Sequence, residues 1–273
     1  MKSKPKTSLI IAVYNWPEAL ELCLKSVLAL SEMPAELIIA DDGSKRDIYQ
    51  LIERYKSRLS MPVKHIWQPD EGFKLAQIRN KAVAASDCDY VIQIDGDLIL
   101  HHSFIKDHIA VARTGHFVAG SRVILNKSLS DQLLAEKKIN VGLFQKGVSN
   151  VLNGLHFPSL SRRLMPIIHL NEKKSIRGCN MAYWRNDFIS VNGYNEEFQG
   201  WGREDSDLVM RFFKLGLKRT FFKFRGVVYH IHHCEADRSR LTVNDALLHR
   251  SRQEGCYCMN GIEKYLFNVK ENT

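Results

Sequence analysis

Residues 89–97 read Asp-Tyr-Val-Ile-Gln-Ile-Asp-Gly-Asp, an apolar run that ends in two carboxylates separated by a glycine. The apolar residues at 91–94 predict a short buried β-strand, because turn residues bound the run on both sides. Asp95 and Asp97 can both reach one hard divalent cation and its phosphate ligands. Asp and Gly are also common in plain turns, so this tripeptide alone does not establish a metal site.

Two similar units precede this stretch. Residues 8–13 form an apolar run that ends in Tyr14-Asn15-Trp16-Pro17, and residues 36–40 form another that ends in Asp41-Asp42-Gly43-Ser44. Helical spacing follows the first run, with Pro17 at a suitable first helical position. A carboxylate of the second strand end can accept hydrogen bonds from a nucleobase N–H or a ribose hydroxyl, although a turn with an N-cap is the plainer interpretation.

Further along the chain, residues 63–67 predict a strand and residues 75–85 a helix. Strands that alternate with helices are typical of βαβ units, so the fold class is α/β with a mostly parallel sheet flanked by helices. In such sheets ligands bind at the carboxyl ends of the strands. We therefore expect the polar strand ends described above to meet there and to form a site.

Composition limits the classes of function. The chain has 273 residues, a net charge of +9 and 45% hydrophobic residues, which indicates a globular protein with an anionic partner. No nucleic-acid-binding motif accompanies the charge, so we expect no nucleic acid partner and favour phosphorylated or lipid-linked substrates at an anionic membrane face. No signal peptide or membrane span is apparent, so we expect a cytoplasmic protein, with peripheral contact at the inner face of the plasma membrane as a further hypothesis.

The segment of residues 122–175 has no clear periodicity, and lysine and arginine interrupt its apolar patches. We interpret it as helices and mobile loops that form a flap facing the acceptor or a membrane. A solvated helical insertion explains the same pattern equally well.

Gly200-Trp201-Gly202-Arg203-Glu204-Asp205-Ser206-Asp207 is the most informative stretch of the second half. An indole between two glycines makes poor helix material and a good exposed platform for a sugar ring. The acidic residues behind it begin an apparent helix, where they favour the helix dipole. The alternative, which we prefer, is a carboxylate base for an acceptor hydroxyl.

His230-Ile231-His232-His233 follows a strand-like run. His230 and His232 share a face if the segment is extended, whereas His230 and His233 converge if it turns. Neutral imidazole ligands favour manganese(II) over magnesium. A zinc site with Cys234 is the competing hypothesis, but the chain offers no second paired set of ligands.

At these residues the sequence resembles the family-2 glycosyltransferases of the GT-A fold, a Rossmann-like α/β architecture. The N-terminal third carries the resemblance in residues 8–15, 41–44, 72–74, 77–80 and 95–97. The second half is similar to the galactosyltransferase-type C-terminal region at residues 177–182, 191–194 and 200–205. Arg203 stands where β-1,4-galactosyltransferases usually have glycine, and their disulfides and anchor are absent. Both departures look more like bacterial capsule, lipopolysaccharide or chondroitin-polymerase domains.

The resemblance implies a role for each matching residue. The general base falls on Asp205, and the ligands of manganese(II) (or magnesium) fall on Asp97, His230 and His233. Acceptor contacts fall on Trp201, Gly202 and Glu204. The positions implied for donor binding are Ala12, Tyr14, Asn15, Asp42, Lys74, Arg79 and Asp95.

The function implied is metal-dependent, inverting transfer of a hexose or N-acetylhexosamine from a UDP-sugar. The acceptor would be a glycan or lipid-linked glycan in bacterial surface polysaccharide synthesis. We expect one domain, in which residues 1–121 bind the nucleotide-sugar, 122–175 are an insertion and 176–273 bind the acceptor. A sugar nucleotidyltransferase is one alternative, but Tyr14-Asn15-Trp16-Pro17 replaces the Gly-rich phosphate loop it needs. The other is a carbohydrate-binding module that uses Trp201.

Overall fold

A computed structural model describes residues 4–165, 178–234 and 237–266 of the chain. The strands are β1 (Thr7–Val13), β2 (Glu36–Asp41), β3 (Val63–Trp67), β4 (Tyr90–Asp95), β5 (Leu98–Leu100), β6 (His116–Ala119), β7 (Val123–Leu125), β8 (Val148–Ser149), β9 (Asn180–Trp184), β10 (Lys218–Thr220) and β11 (Val228–His230). The α-helices are α1 (Pro17–Leu28), α2 (Arg46–Lys56), α3 (Leu75–Ala84), α4 (Phe104–Val111), α5 (Lys127–Glu136), α6 (Pro158–Leu164), α7 (Arg185–Ser190), α8 (Glu204–Lys214), α9 (Leu241–Ser251) and α10 (Glu263–Leu266).

The main sheet has seven strands in the order β10-β6-β9-β4-β1-β2-β3. β1 pairs in parallel with β2 on one side and with β4 on the other, whereas β9 runs antiparallel between β4 and β6. The register places Val13 opposite Asp41 and Ala12 opposite Asp95. The three polar strand ends therefore lie together at one edge, and the predicted mostly parallel α/β fold is confirmed.

The two faces of the main sheet build two cores because side chains alternate along each strand. Leu9 and Ile11 pack toward α1 and α2, whereas Ile10 between them packs toward α3 and α8. Fully burying such a side chain stabilises the fold by about 1.5–3 kcal/mol. The strands of this sheet are apolar on both faces, which explains why they could be recognised as continuous runs.

A second sheet, in the order β5-β11-β7-β8, was not expected. Residues 122–165 do contain the predicted helices, α5 and α6, but β7 and β8 are strands in a segment that we interpreted as helices and loops. β7 is held by pairing with β11, which lies about one hundred residues further along the chain. Periodicity cannot reveal a three-residue strand whose partner is so distant. Residues 166–175 and Arg177 lie outside the described residues.

Candidate active site

A cavity of about 960 Å³ opens at the carboxyl edge of the main sheet. It has the size and position of the ligand sites that are typical of open α/β sheets. Among its lining residues are those predicted for the site except Asn15 and Lys74, namely Ala12, Tyr14, Asp42, Arg79, Asp95, Asp97, Trp201, Gly202, Glu204, Asp205, His230 and His233. Residues from distant parts of the chain thus converge, as the sequence predicted.

Asp97, His230 and His233 form a cluster in which one ligand atom of each residue lies within 4.8 Å of the others. The Nε2 atoms of His230 and His233 lie 3.2 and 3.3 Å from Asp97 Oδ2. Burial acts to raise the pKa of Asp97, but the hydrogen bonds from both histidines outweigh it and hold that pKa well below its usual range. Asp97 Oδ1 is buried and has no hydrogen-bond partner. This unsatisfied oxygen beside two imidazoles fits a divalent cation of the manganese type.

The second sheet explains how this cluster forms. Asp97 directly precedes β5, and β11 pairs antiparallel with β5 so that His230 lies opposite Leu98. The backbone N–H of Ile231 then donates to the carbonyl of Asp97 at 3.0 Å. His233 also reaches Asp97, whereas the N–H of His232 donates to Ser130 Oγ. Of the two histidine pairs considered, His230 and His233 are the pair that converges.

Arg79 connects Asp95, at the end of β4, to Asp205 at the start of α8. Its guanidinium is only 1% exposed, and it donates to Asp95 Oδ1 at 2.7 Å and to Asp205 Oδ1 at 3.0 Å. A buried arginine needs such partners, because leaving its charge unpaired would cost several kcal/mol. Both Nη atoms of Arg79 are thus committed to carboxylates, so the side chain is placed to position Asp205 as well as to line the cavity.

Asp205 lies in the first turn of α8 and accepts three hydrogen bonds. Arg79 and the hydroxyl of Tyr194 donate to Oδ1, each at 3.0 Å, and the N–H of Gly178 donates to Oδ2 at 2.7 Å. A carboxylate offers about four acceptor positions, so one position on Oδ2 stays available. A Cβ atom on Gly178 would lie 1.9 Å from Asp205 Oδ1, so only glycine fits at that position. The carboxylate is therefore rigidly oriented but not saturated.

Glu204 differs sharply from its neighbour. Burial, together with the charge of Asp205, raises the pKa of Glu204 to about 8. Its Oε2 atom is buried and has no hydrogen-bond partner, and its Oε1 lies 4.0 Å from Arg79 Nη1. At neutral pH this side chain is therefore mainly an uncharged carboxylic acid that can donate a hydrogen bond.

Asp42 lies at the end of the cavity near β2. It accepts hydrogen bonds from Gln68 Nε2 at 2.6 Å and from the N–H of Lys74 at 2.9 Å. Burial raises the pKa of Asp42 to about 6 despite these two donors. The ammonium of Lys74 pairs with Glu71 and lines a neighbouring cavity, so Lys74 lies outside the main one. Asn15 instead connects strand ends, because its Oδ1 accepts from the N–H of Lys45.

The loop that carries Trp201 is held by α9. Asn244, which is fully buried, donates through Nδ2 to the carbonyls of Gln199 at 3.1 Å and Gly202 at 2.9 Å. The indole is 39% exposed, and the guanidinium of Arg238 lies 4.7 Å from its ring centroid. The predicted platform is thus presented to the cavity by a fixed loop, a support that the sequence did not reveal.

Replacing Asn244 by aspartate tests this support. The change preserves shape but points a carboxylate at two carbonyl oxygens, so we expect the free energy of unfolding to fall by about 1–3 kcal/mol. Urea unfolding of the variant and of a control, exposed Asn140→Asp, provides the measurement. Equal stability of the two variants would mean that the Asn244 hydrogen bonds do not hold the loop.

Comparison with known proteins gives the family. The family model described as Glycosyl transferase family 2 matches residues 8–170, which is more than half of the chain. The chain belongs to glycosyltransferase family 2. A second family model, described as the N-terminal domain of galactosyltransferase, matches residues 166–234 of this glycosyltransferase. The two matches meet at residues 166–170, between the two parts of the chain that carried the resemblance, and the suspected family is confirmed.

A curated relative agrees with this family, and solved structures share the fold. The glycosyltransferase is 26% identical over 251 residues to a chondroitin synthase of Pasteurella multocida (strain Pm70); the match covers 82% of this chain but only 24% of the relative. Its structure resembles S. aureus TarS 1-349 in complex with UDP-GlcNAc, with a TM-score of 0.61, 16% identity and coverage of 92% and 67% of the two chains. It also resembles GalNAc-T7 with UDP, GalNAc and Mn²⁺, with a TM-score of 0.61, 16% identity and coverage of 85% and 44%.

The cavity of this glycosyltransferase also contains residues that the sequence analysis missed. Phe73, Arg122 and Arg238 line it, and Tyr194 lies behind it as a donor to Asp205. Phe73 belongs to residues 72–74, which carried the resemblance, so the sequence analysis could have included it among the site residues. Arg122 begins the segment without periodicity, and its buried Nε atom has no hydrogen-bond partner. No local pattern distinguishes it from the other basic residues of that segment.

Proposed function

We propose that this glycosyltransferase transfers a hexose or N-acetylhexosamine from a UDP-sugar to a hydroxyl of a glycan acceptor, with inversion and with a divalent cation. The observation that carries the proposal is the convergence of three groups in one cavity. These are the Asp97–His230–His233 cluster, the oriented carboxylate of Asp205 and the exposed ring of Trp201. The UDP-GlcNAc of the TarS structure and the UDP and Mn²⁺ of the GalNAc-T7 structure support this choice of donor and cation.

Asp205 is the proposed general base. It takes the proton of the acceptor hydroxyl while the hydroxyl oxygen attacks the anomeric carbon from the face opposite the leaving diphosphate. The three donors around the carboxylate fix its direction, and Arg79 balances its charge. Because the carboxylate is already oriented, the entropic cost of reaching the transition state is lower. Trp201, Gly202 and Glu204 are proposed to hold the acceptor, with the uncharged Glu204 donating to a sugar hydroxyl.

Asp97, His230 and His233 are the proposed ligands of manganese(II) or magnesium. A bound divalent cation would neutralise the negative charge that develops on a diphosphate leaving group. Two nitrogen ligands and one oxygen favour manganese(II). Asp95 is held by Arg79, which keeps its carboxylate close to both the cation ligands and the base.

Asp42 is proposed to bind the uridine, together with Ala12, Tyr14 and the neighbouring residues Asn15 and Lys74. Because its pKa is raised to about 6, Asp42 is a carboxylate above that pH and uncharged below it. A charge-assisted hydrogen bond is worth about 1 kcal/mol more than a neutral one, so we expect uridine to bind about fivefold more weakly at pH 5 than at pH 7.5.

Uridine is the suitable probe for this pH dependence because it lacks phosphates, which titrate in the same range. Calorimetric titrations at several pH values provide the measurement. Asp42→Asn should bind uridine weakly at both pH values, since it has no charge to lose. A wild-type affinity that stays constant between pH 5 and 7.5 would contradict this role of Asp42.

The acceptor is proposed to be a glycan or lipid-linked glycan of bacterial surface polysaccharide synthesis, at the cytoplasmic face of the plasma membrane. Its basis is the similarity to a chondroitin synthase and the net charge of +9. We propose one domain, with residues 1–121 binding the donor, 122–175 forming an insertion and 176–273 binding the acceptor.

A screen of nucleotide-sugars for slow hydrolysis tests the proposed function, since hydrolysis reveals the donor before any acceptor is known. We expect release of UDP from one or a few UDP-sugars, with a requirement for manganese. Release of pyrophosphate from UTP and a sugar phosphate would indicate a nucleotidyltransferase instead. Glycan binding without any effect of UDP or manganese would indicate a carbohydrate-binding module.

A further inference from the structure

Residues 137–165, which we call the basic segment, have a one-sided charge. They contain Lys137, Lys138, Lys146, Arg162 and Arg163 and no aspartate or glutamate. The whole chain, by contrast, mixes 39 lysines and arginines with 30 acidic residues. A segment that carries only positive charges, in a chain that otherwise mixes both signs, indicates an anionic partner at that surface.

The basic segment also exposes large apolar side chains. Phe144 is 84% exposed, Leu152 68%, Phe157 52% and Leu160 44%. Single exposed apolar residues are ordinary, but clustered ones mark interaction sites with proteins, ligands or membranes.

Three of the five cations have no ion-pair partner among the described residues. Lys137 pairs with Glu21 and Lys138 with Glu136, each at 2.8 Å. Within the described ranges, Lys146, Arg162 and Arg163 form no ion pair, and all three are exposed. The basic segment therefore combines exposed cations with exposed apolar side chains.

The basic segment folds back on itself to form a surface. Leu143 packs over Gly154, where an added Cβ would lie 2.1 Å from Leu143 Cδ1, so Phe144 lies close to the turn that carries Leu152. The N–H of Phe157 donates to the carbonyl of Phe224 at 3.1 Å, which fixes the start of α6. On α6, Leu160 and Arg163 are three residues apart and hence neighbours on the helix surface.

This surface adjoins the wall of the active-site cavity. Asn153 donates to the carbonyl of Arg122 at 2.9 Å, and Ser149 pairs with Ile124 across β7 and β8. Both Arg122 and Ile124 line the cavity. A partner bound to the basic segment would therefore lie beside the place where transfer is proposed.

We propose that the basic segment docks the protein onto an anionic lipid bilayer. The cations lie at the headgroups and the apolar side chains enter the interface, the arrangement that amphipathic membrane-binding surfaces use. A nucleic acid or an acidic glycan would account for the charge but not for the exposed aliphatic side chains of Leu152 and Leu160, which offer no ring on which a base or a sugar could stack. No helix in the described parts of the chain has the length and hydropathy to cross a membrane. Docking would bring the active site close to a lipid-linked acceptor. That benefit rests on the proposed function, whereas the docking itself does not.

Co-sedimentation with vesicles tests the docking surface. The probes are vesicles of phosphatidylcholine alone and of phosphatidylcholine with phosphatidylglycerol. The variant carries Lys146→Gln, Arg162→Gln and Arg163→Gln. Each basic residue near an anionic surface strengthens partition by about a factor of five. We therefore expect the variant, which lacks three of them, to partition about 100-fold more weakly onto the anionic vesicles. A second variant, Phe144→Ser with Leu152→Ser, should lose about tenfold because less apolar area enters the interface.

Matched controls distinguish binding by the basic segment from attraction by the net positive charge of the whole protein. Arg46→Gln, Arg54→Gln and Arg113→Gln remove the same charge from exposed positions elsewhere and should partition as the wild type does. Equal losses in both charge variants, or no preference of the wild type for anionic vesicles, would overturn the proposal. UDP-sugar hydrolysis without vesicles should be the same in all variants. A wild type that binds anionic vesicles but hydrolyses no donor would contradict the proposed function and not the docking surface.

Discussion

Asp205→Asn is expected to lower the rate of sugar transfer about 1,000-fold while leaving the affinity for UDP nearly unchanged. Removal of a general base costs about 10²–10⁴ in rate. Asparagine has the shape of aspartate, so Arg79 and Tyr194 keep a hydrogen-bond acceptor, but it cannot take the acceptor proton. Steady-state transfer and a calorimetric titration with UDP and manganese measure the two quantities.

Glu204→Gln is the matched control for this prediction. Because the pKa of Glu204 is raised to about 8, the side chain is mainly uncharged at pH 7, and glutamine imitates that state. We expect a loss of less than about tenfold, which corresponds to one altered hydrogen bond to the acceptor. If Glu204→Gln loses activity and Asp205→Asn retains it, the base is Glu204 and our assignment of the two carboxyl groups is wrong.

The strands of the main sheet that the sequence predicted are β1 to β4, and their observed bounds differ from the predicted ones by no more than a residue or two. Each is a short apolar run that ends in residues typical of turns, so local chemistry determines it. β7 is different, because it has three residues in a segment without periodicity and depends on pairing with the distant β11. Its existence is a property of the tertiary structure and not of the local sequence, whereas β11 overlaps the strand-like run that precedes His230.

The candidate site shows the same division. Strand ends had to converge once a parallel sheet was predicted, which explains why Asp42, Asp95 and Asp97 share a cavity. The hydrogen bond between Arg79 and Asp205 spans 126 positions of the chain, and nothing local indicates it. That His233 and not His232 lies in the cluster with Asp97 depends on the path of the chain after β11. Motif spacing predicted which residues form the site, and the fold determines which of their atoms lie together.

Asp97→Asn is expected to abolish stimulation by manganese and to lower the rate of sugar transfer about 1,000-fold or more. A divalent cation supplies several kcal/mol of charge stabilisation in the transition state, and each 1.36 kcal/mol is a factor of ten in rate. The Asp97 carboxylate offers the only negative charge in the cluster that it forms with His230 and His233. An amide keeps its size but loses that charge, so a cation would be held far more weakly.

The histidines provide the controls for this second prediction. His233→Gln should lower manganese affinity about 10–100-fold, since it removes one ligand and keeps two. His232→Gln should have a much smaller effect, because the side chain of His232 is not part of the cluster although it lines the same cavity. Calorimetric titrations of UDP binding at several manganese concentrations measure the affinity for manganese independently of turnover. Equal losses in His232→Gln and His233→Gln, or manganese stimulation that survives Asp97→Asn, would show that the cation binds elsewhere.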